Sequence, residues 1–269
     1  MGKASRNERE QLILLSEGKK VFFASDLHLG SPSYAESRER EKRFVNWIEE
    51  HRSEMGALFL LGDIFDYWFE YRFVIPKGYV RLLGIFAELC DEGIPVLFFC
   101  GNHDSWMKGY FEKEIGMRVF KETANVSING KTFLVGHGDG LGPNEYGYKL
   151  LKCLFEARLS RAFFAWLHPW VGYILATGFS RGSRKANQIK SNRRELEDSK
   201  NKNIRTFIEK TLEGRFFDYF IFAHRHCPVI KDFKVKDGKT SKYLNTGDWL
   251  SHYSYGVFDG ENLSLGNAK

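Results

Sequence analysis

The 269-residue sequence predicts an α/β fold built on a largely parallel sheet, with a second, more antiparallel sheet packed against it. Three observations carry the prediction. Short apolar runs alternate with amphipathic helical stretches over the first hundred residues, the rhythm of right-handed β-α-β crossovers. These early runs are apolar at nearly every position, as strands buried on both faces must be. Past residue 124 the runs are joined instead by tight-turn dipeptides such as Asn129-Gly130, the signal of antiparallel hairpins.

Taken in order, Lys20 to Ser25 is the first such strand and runs into Asp26-Leu27-His28-Leu29-Gly30. Glu39 to His51 follows as an amphipathic helix with Phe44, Trp47 and Ile48 inward, and the charges of Glu36 to Lys42 read as a solvated helix face. Leu58-Phe59-Leu60-Leu61 is the next strand and ends in Gly62-Asp63-Ile64-Phe65-Asp66. A helix from about Tyr79 to Asp91 closes at Gly93, and Ile94 to Cys100 forms a third strand ending in Gly101-Asn102-His103-Asp104. In the second half, Asn125 to Asn129 and Lys131 to Gly136 flank the Asn129-Gly130 turn, and the latter ends in Gly136-His137-Gly138-Asp139. Tyr219 to Ala223 is a strand ending in His224-Arg225-His226, and hairpin-like pieces surround Lys236-Asp237-Gly238 and Asp259-Gly260. Asn245 to Trp249 reads as a turn closing back on the loops just named, with Asp248 either part of a site or an ordinary turn residue.

Composition bounds the class. A 28% charged content and 24 Phe are those of an ordinary globular chain, long enough for one large domain or for one domain with an insertion, and no fixed-period repeat or low-complexity tract is visible. Cys90, Cys100, Cys153 and Cys227 form no close pair and no metal-ribbon spacing, which suits small buried hydrophobes in a reducing compartment. Gln11 to Leu15 is too short an apolar core for a secretory signal, and Arg6 stands where N-myristoylation at Gly2 requires Ser or Thr. A cytoplasmic location is expected.

The chemistry is read from the strand ends. Asp63 closes a buried strand with no Lys or Arg within eight residues on either side. Such a carboxylate needs a neutralising partner, either a metal ion or, more simply, the N–H groups of a following helix. Five apolar runs end in comparable loops: Asp26 and His28; Asp63; Asn102 and His103; His137; His224 and His226. Strand ends on one edge of a sheet converge in space and form the usual ligand crevice of open α/β sheets. Imidazoles mixed with carboxylate and amide oxygens, without thiolate, suit Mn, Fe or Zn better than Ca or Mg. Seven ligands are too many for one four-coordinate ion, so two divalent ions bridged by Asp63 are expected, a pair suited to holding a phosphoryl group during in-line displacement.

Asp26-x-His28, Gly62-Asp63, Gly101-Asn102-His103-Asp104, Gly136-His137-Gly138 and His224-x-His226, in that order over residues 26 to 226, resemble the calcineurin-like metallophosphoesterases. The resemblance implies a four-layer αββα sandwich and a metal-dependent hydrolase. It assigns Asp26, His28, Asp63 and His226 to one ion and Asp63, Asn102, His137 and His224 to the other, with manganese the expected metal, iron or zinc the alternatives, and a water-derived nucleophile between them. It makes His103 the catalytic residue that touches the leaving oxygen or a phosphate oxygen, oriented by Asp104.

Between His137 and His224 lies a segment of different character. Lys149 to Arg194 holds ten Lys or Arg against one acid, Glu156, a local net of +9 in a chain of +6. Inside it, Ala162 to Ser180 runs nineteen residues without formal charge, which touches the length of a membrane span. A single crossing would put His224 and His226 across the bilayer from His137, so a helical cap is expected over residues 149–195, inserted into a core of residues 1–148 and 196–269. Either its apolar faces pack on the core, or it is a helical hairpin bent at Pro169 whose aromatic side meets acyl chains while arginines meet phosphates.

This cap, the run Gly62 to Trp68, the stretch from His137-Gly138-Asp139-Gly140-Leu141 to Tyr148, and Ser183-Arg184-Lys185-Ala186-Asn187-Gln188-Ile189-Lys190 resemble the branch of that family which cleaves the pyrophosphate of UDP-2,3-diacylglucosamine in lipid A synthesis, releasing UMP and the monophosphate lipid. By that resemblance Tyr148, Ser183, Asn187 and Lys190 hold the glucosamine phosphate, and Asp66, Trp68, Arg184 and Lys185 are further substrate contacts. His103 departs from the arginine of the best-known members, and unlike arginine it can supply a proton. The implied partners are an amphiphilic nucleotide-lipid substrate and the cytoplasmic face of the bacterial inner membrane, touched peripherally, with no nucleic acid and no obligatory protein partner. Alternatives are a generic phosphodiesterase or protein phosphatase, a nucleic-acid phosphoesterase stacking bases on Trp166, Trp170 and Tyr173, and a non-catalytic scaffold, although scaffolds lose ligands and none is missing here.

Overall fold

The computed structural model describes residues 11–142, 146–178, 194–235 and 238–268. In chain order its elements are β1 (Gln11–Ile13), β2 (Lys20–Ala24), α1 (Tyr34–His51), β3 (Met55–Leu60), α2 (Val80–Asp91), β4 (Val96–Phe99), β5 (Arg118–Phe120), β6 (Ala124–Ile128) and β7 (Lys131–Val135). There follow α3 (Tyr146–Glu156), α4 (Arg158–Trp166), α5 (169–178), α6 (Arg194–Gly214), β8 (Tyr219–Phe222), β9 (Val229–Lys234), β10 (Thr240–Asn245), β11 (Ser254–Phe258) and β12 (Leu263–Asn267).

Two six-stranded sheets result, ordered β12-β11-β2-β3-β4-β5 and β1-β6-β7-β8-β10-β9. In the first, β2 to β5 run parallel as expected, and their all-apolar sequences are explained by burial on both faces. Phe22, Ala24, Leu58, Leu60 and Phe98 pack on one side with Phe44, Trp47 and Ile48 of α1 and Leu82, Phe86 and Leu89 of α2. Val21, Phe23, Ala57, Phe59, Leu97 and Phe99 face the second sheet and meet Val126, Phe133, Val135, Ile221 and Leu244. Beyond that sheet Phe220 and Phe222 pack on Ile204 and Ile208 of α6. The layers are therefore helix, sheet, sheet, helix, the αββα sandwich.

Local chemistry sets the helix ends. α1 begins earlier than its periodicity suggests because Ser33 caps it, its hydroxyl accepting from Glu36 N at 3.3 Å and donating to the Glu36 carboxylate. Glu41 accepts from Arg81 N and Leu82 N and so supplies α2 with the cap that Tyr79 lacks. The Asn129-Gly130 turn forms as expected, both residues at positive φ (47° and 78°), between β6 and β7.

Three expectations are corrected. The second sheet is mixed, since β7, β8 and β10 run parallel to one another and β1 pairs parallel with β6. The tail hairpin β11–β12 joins the first sheet, where it covers the otherwise open edge of β2. Glu36 to Lys42 is not simply a solvated face, because Ser37, Arg40 and Glu41 are buried against the loops they hold. Of the four thiols, Cys100 is buried and Cys90 half-buried, while Cys153 and Cys227 are exposed.

The cap contains three described helices rather than a hairpin of two. The chain does break before Pro169, but it also breaks at Ala157, and the nineteen uncharged residues start within α4 and run through all of α5. No described helix is long and apolar enough to cross a membrane. The expected cap limits, 149 and 195, fall just inside α3 and α6.

Candidate metal centre

The loops that follow β2, β3, β4, β7 and β8 meet at one edge of the sandwich because backbone hydrogen bonds continue beyond the strands. Asp26 N donates to Gly62 O, His28 N to Asp63 O and Ala223 N to His137 O, all within 2.8–3.0 Å, and Trp249 N ties the Asn245 to Trp249 turn to Asp26 O. Five residues of these loops, Asp26, His28, Asp63, His224 and His226, adopt positive φ between 43° and 65°. Non-glycine residues enter that region at a cost of about 1–2 kcal/mol each, and such strain collects where side chains must be aimed at a site.

The side chains converge as the sequence predicts. Ligand atoms of Asp26, His28 and His226 lie within 4.8 Å of one another, as do those of His28, Asp63 and His103, and those of Asp63, His137 and His224. Each carboxylate has one oxygen tied and one turned inward. Asp26 Oδ2 accepts from Ser25 Oγ and His224 N, while buried Oδ1 has no hydrogen-bond partner and faces His226 Nε2 at 3.3 Å and His28 Nε2 at 3.7 Å. Asp63 Oδ1 accepts from His103 N at 2.9 Å, and its Oδ2 lies between His28 Nε2 at 3.8 Å and His137 Nε2 at 3.5 Å. Asp63 thus sits where the two outer groups touch. Asn102, exposed at the mouth, places Oδ1 3.3 Å from His137 Nε2.

The imidazoles are oriented from behind. His137 Nδ1 donates to Leu61 O at 2.7 Å and His226 Nδ1 to Asp248 Oδ2 at 3.2 Å, leaving each Nε2 for the cluster. Asp248 is therefore part of the site and not merely a turn residue, although its other oxygen does cap the turn through Leu250, Ser251 and His252 N. Arg40 donates to His28 O and Ser31 O beneath the first loop, a role hidden in the sequence by the run of charges around it. The first of the two readings the sequence left open for Asp248 is the one the structure takes, whereas nothing in the local sequence marks Arg40, which acts on backbone nine and twelve residues away.

Burial alone would neutralise these groups, but neighbouring charge overcomes it. Asp63 is held well below the usual carboxylate range by His137, His103 and His28. Reciprocally, Asp63 pushes His137 up to about 10, and the neighbouring carboxylates of Asp26, Asp66 and Asp63 take His28 up to about 9, in each case against desolvation. Burial and the His137 charge drive His224 down to about 4, so it presents a lone pair to His137 Nε2 at 3.1 Å. Ionised carboxylates ringed by imidazoles are a donor set that a pair of divalent cations fits, the cations displacing the imidazole protons. The orphaned Asp26 Oδ1 is the clearest sign of that fit.

Three sequence expectations fail here. Asp104 does not orient His103; fully buried, it accepts from the backbone N–H groups of Asp63, Ile64, Phe65 and Gly101 and so welds the β3 and β4 loops together. His103 is held instead by Asp66, whose carbonyl accepts from Nδ1 at 3.1 Å. Asp66 is itself buried behind His28 and His103, and Trp68 lies in the helix-side core with 1% exposure, its indole N–H on Glu70, so neither is a substrate contact. Tyr148 does reach the site, donating to Asp139 Oδ2 at 2.6 Å beside the His224 ring. Lys152 also binds Asp139, at 2.7 Å, which fixes α3 to the His137 loop. Ser183, Arg184, Lys185, Asn187 and Lys190 lie outside the described residues.

The helices of the segment expected as a cap dock on the core through aromatic rings: Phe164 packs on Tyr67, Phe69 and Trp106 and Tyr173 packs on Tyr67, with centroids 4.7–6.3 Å apart. Outward-facing cap side chains remain in solvent, including Leu159 at 85% and Trp166 at 84% exposure.

A family model described as calcineurin-like phosphoesterase matches residues 19–237. A UDP-2,3-diacylglucosamine hydrolase of Porphyromonas gingivalis is 37% identical over 260 residues, covering 91% of this chain and 96% of that protein. A UDP-2,3-diacylglucosamine hydrolase of Edwardsiella ictaluri is 26% identical over 91% of this chain and 90% of its own. Among solved structures, an archaeal phosphodiesterase aligns over 91% of this chain and 98% of its own with a TM-score of 0.46 and 13% identity.

Proposed function

The chain belongs to the calcineurin-like phosphoesterase family and is a metal-dependent hydrolase, and from that premise we propose that it cleaves the pyrophosphate of UDP-2,3-diacylglucosamine to UMP and 2,3-diacylglucosamine 1-phosphate. One observation carries the substrate reading: a largely buried His–Asp cluster lies beside helices, tied to it through Tyr148 and Lys152, that leave large apolar side chains exposed, which suits a substrate that is ionic at its reacting centre and apolar at its end. A generic phosphodiesterase has no need of the second feature.

In this reading Asp26, His28, Asp63 and His226 hold one divalent ion and Asp63, Asn102, His137 and His224 the other, with manganese the expected pair. Bound there, the ions would polarise the phosphoryl oxygens and make a water nucleophilic at neutral pH. The protein's own part is positioning. Leu61 O and Asp248 fix the tautomers of two ligands, Asp104 locks two ligand loops together, and Asp66 holds His103 by Nδ1 so that its other ring nitrogen serves a phosphate or leaving oxygen. The exposed cap residues, with the basic residues around them, favour peripheral contact with an anionic membrane surface.

The test is UMP release from UDP-2,3-diacylglucosamine by the full chain with and without added manganese; no release under either condition would remove the substrate assignment. Changing Arg184, Lys185 and Lys190 together to Ala should depress turnover of the lipid-linked nucleotide more than that of a small chromogenic phosphodiester, and equal losses would argue against the cap's role.

A further inference from the structure

A nucleotide-linked lipid reacts at its pyrophosphate, so with the phosphorus against the cluster its two halves must leave in different directions. The surfaces bordering the cluster differ in kind. Past Asp66 lies an aromatic wall in which Trp106, Phe164 and Tyr173, partly exposed, cover the buried rings of Tyr67 and Phe69. Past His137 there is instead a cleft of about 220 Å³ lined by Lys121, Glu122 and Thr123 of the β5–β6 turn, His137, Asp139, and Lys152 of α3. The two surfaces share no residue.

The cleft's chemistry decides what it holds. Acyl chains laid there would strip water from the exposed Lys121 ammonium and Glu122 carboxylate without returning a hydrogen bond. A pyrimidine edge and a ribose diol need acceptors and donors side by side, which Glu122 and Asp139 on one hand and Lys121, Lys152 and the Thr123 hydroxyl on the other provide. Asp139 is already clamped by Tyr148 and Lys152, so this wall is formed before a ligand arrives. The cleft's volume, below the roughly 300 Å³ at which pockets for drug-sized ligands begin, is too small for two acyl chains.

Resting on the substrate reading above, we infer that this cleft is the nucleoside subsite, with Lys121, Glu122 and Thr123 determining nucleotide specificity while the diacyl half runs along the aromatic wall. The assignment fixes the orientation of the substrate over the ions.

The experiment uses the full chain loaded with manganese, a small chromogenic phosphodiester as reporter, and UMP, inorganic phosphate and 2,3-diacylglucosamine 1-phosphate as inhibitors. The wild-type protein should prefer UMP over phosphate by about tenfold or more, the scale of one or two hydrogen bonds. In Lys121→Ala/Glu122→Ala/Thr123→Val that preference should fall to about twofold, while the ratio of lipid product to phosphate stays as in the wild type. The single change Thr123→Val, which keeps the charges, should erode the preference in the same direction. A wild-type protein without the preference, or a triple variant that retains it, overturns the subsite, as does a variant that loses the lipid-product preference instead. Failure of the substrate reading is separate: a UMP preference without UMP release from UDP-2,3-diacylglucosamine leaves the nucleoside subsite standing and removes the lipid.

Discussion

At the scale of single residues, Asp63 carries the centre because one of its oxygens is held by His103 N and the other lies between imidazoles of both ligand groups. Asp63→Asn removes the charge but not the shape, and should lower turnover of any phosphoester by several kcal/mol of transition-state stabilisation, on the order of a thousandfold, with bound manganese reduced in elemental analysis. Asp104 predicts a different phenotype. Its Ala variant leaves four backbone N–H groups of Asp63, Ile64, Phe65 and Gly101 without their acceptor. At about 1–3 kcal/mol for each buried donor stranded, part of it recovered by relaxation, a net loss of roughly 3 kcal/mol is expected, seen as a lower denaturant midpoint with unchanged slope. His103→Ala should instead spare stability and cut kcat by about 10²–10⁴, the range of a lost general acid.

Elements act through how closely they approach. Gly62, at φ 86°, faces Gly101 across the β3 and β4 loops, and a Cβ on Gly62 would stand 2.5 Å from Gly101 N. A Cβ on Gly101 would collide with the Asp63 carboxylate itself. Gly101→Ala should therefore lower metal content and thermal stability together, unlike Gly84→Ala in α2, where a Cβ meets nothing and helix propensity gains about 1 kcal/mol. Helices α3, α4 and α5 all leave large apolar side chains in water, Leu159 and Trp166 of α4 the most exposed among them. Replacing Leu159 and Trp166 by Glu removes apolar area worth about 1.5–3 kcal/mol per side chain on burial, so co-sedimentation with anionic vesicles should weaken at least about tenfold relative to turnover of a small phosphodiester. Unaltered sedimentation would argue against membrane contact through α4.

For the molecule as a whole, cations that bind the folded centre and not the unfolded chain add stability by mass action, about 2.7 kcal/mol at a hundred times the dissociation constant. At roughly 2–4 °C per kcal/mol for domains of 150–250 residues, chelation should lower Tm by about 5–10 °C, and manganese should restore it. How much of this was legible beforehand follows from the range of each force. Strands such as Leu58 to Leu61 and the Asn129-Gly130 turn were readable because burial on both faces and positive φ are demands met by neighbouring residues. The ligands were readable because each stands at the end of such a strand. Asp104, Asp66 and Arg40 were misread or missed for the opposite reason: the partners that give them their roles lie between nine and forty-one residues away, and an acid that caps backbone N–H groups looks, in sequence, like one that orients a histidine. By itself, then, the sequence determined the parallel core, the strand-end residues that converge at one edge, and the charge and apolarity of the segment between His137 and His224. Tertiary structure alone decided which oxygen of each carboxylate faces inward, which acid stands behind which imidazole, and that the tail hairpin closes the first sheet, because those choices depend on hydrogen bonds and edges that exist only once distant segments are side by side.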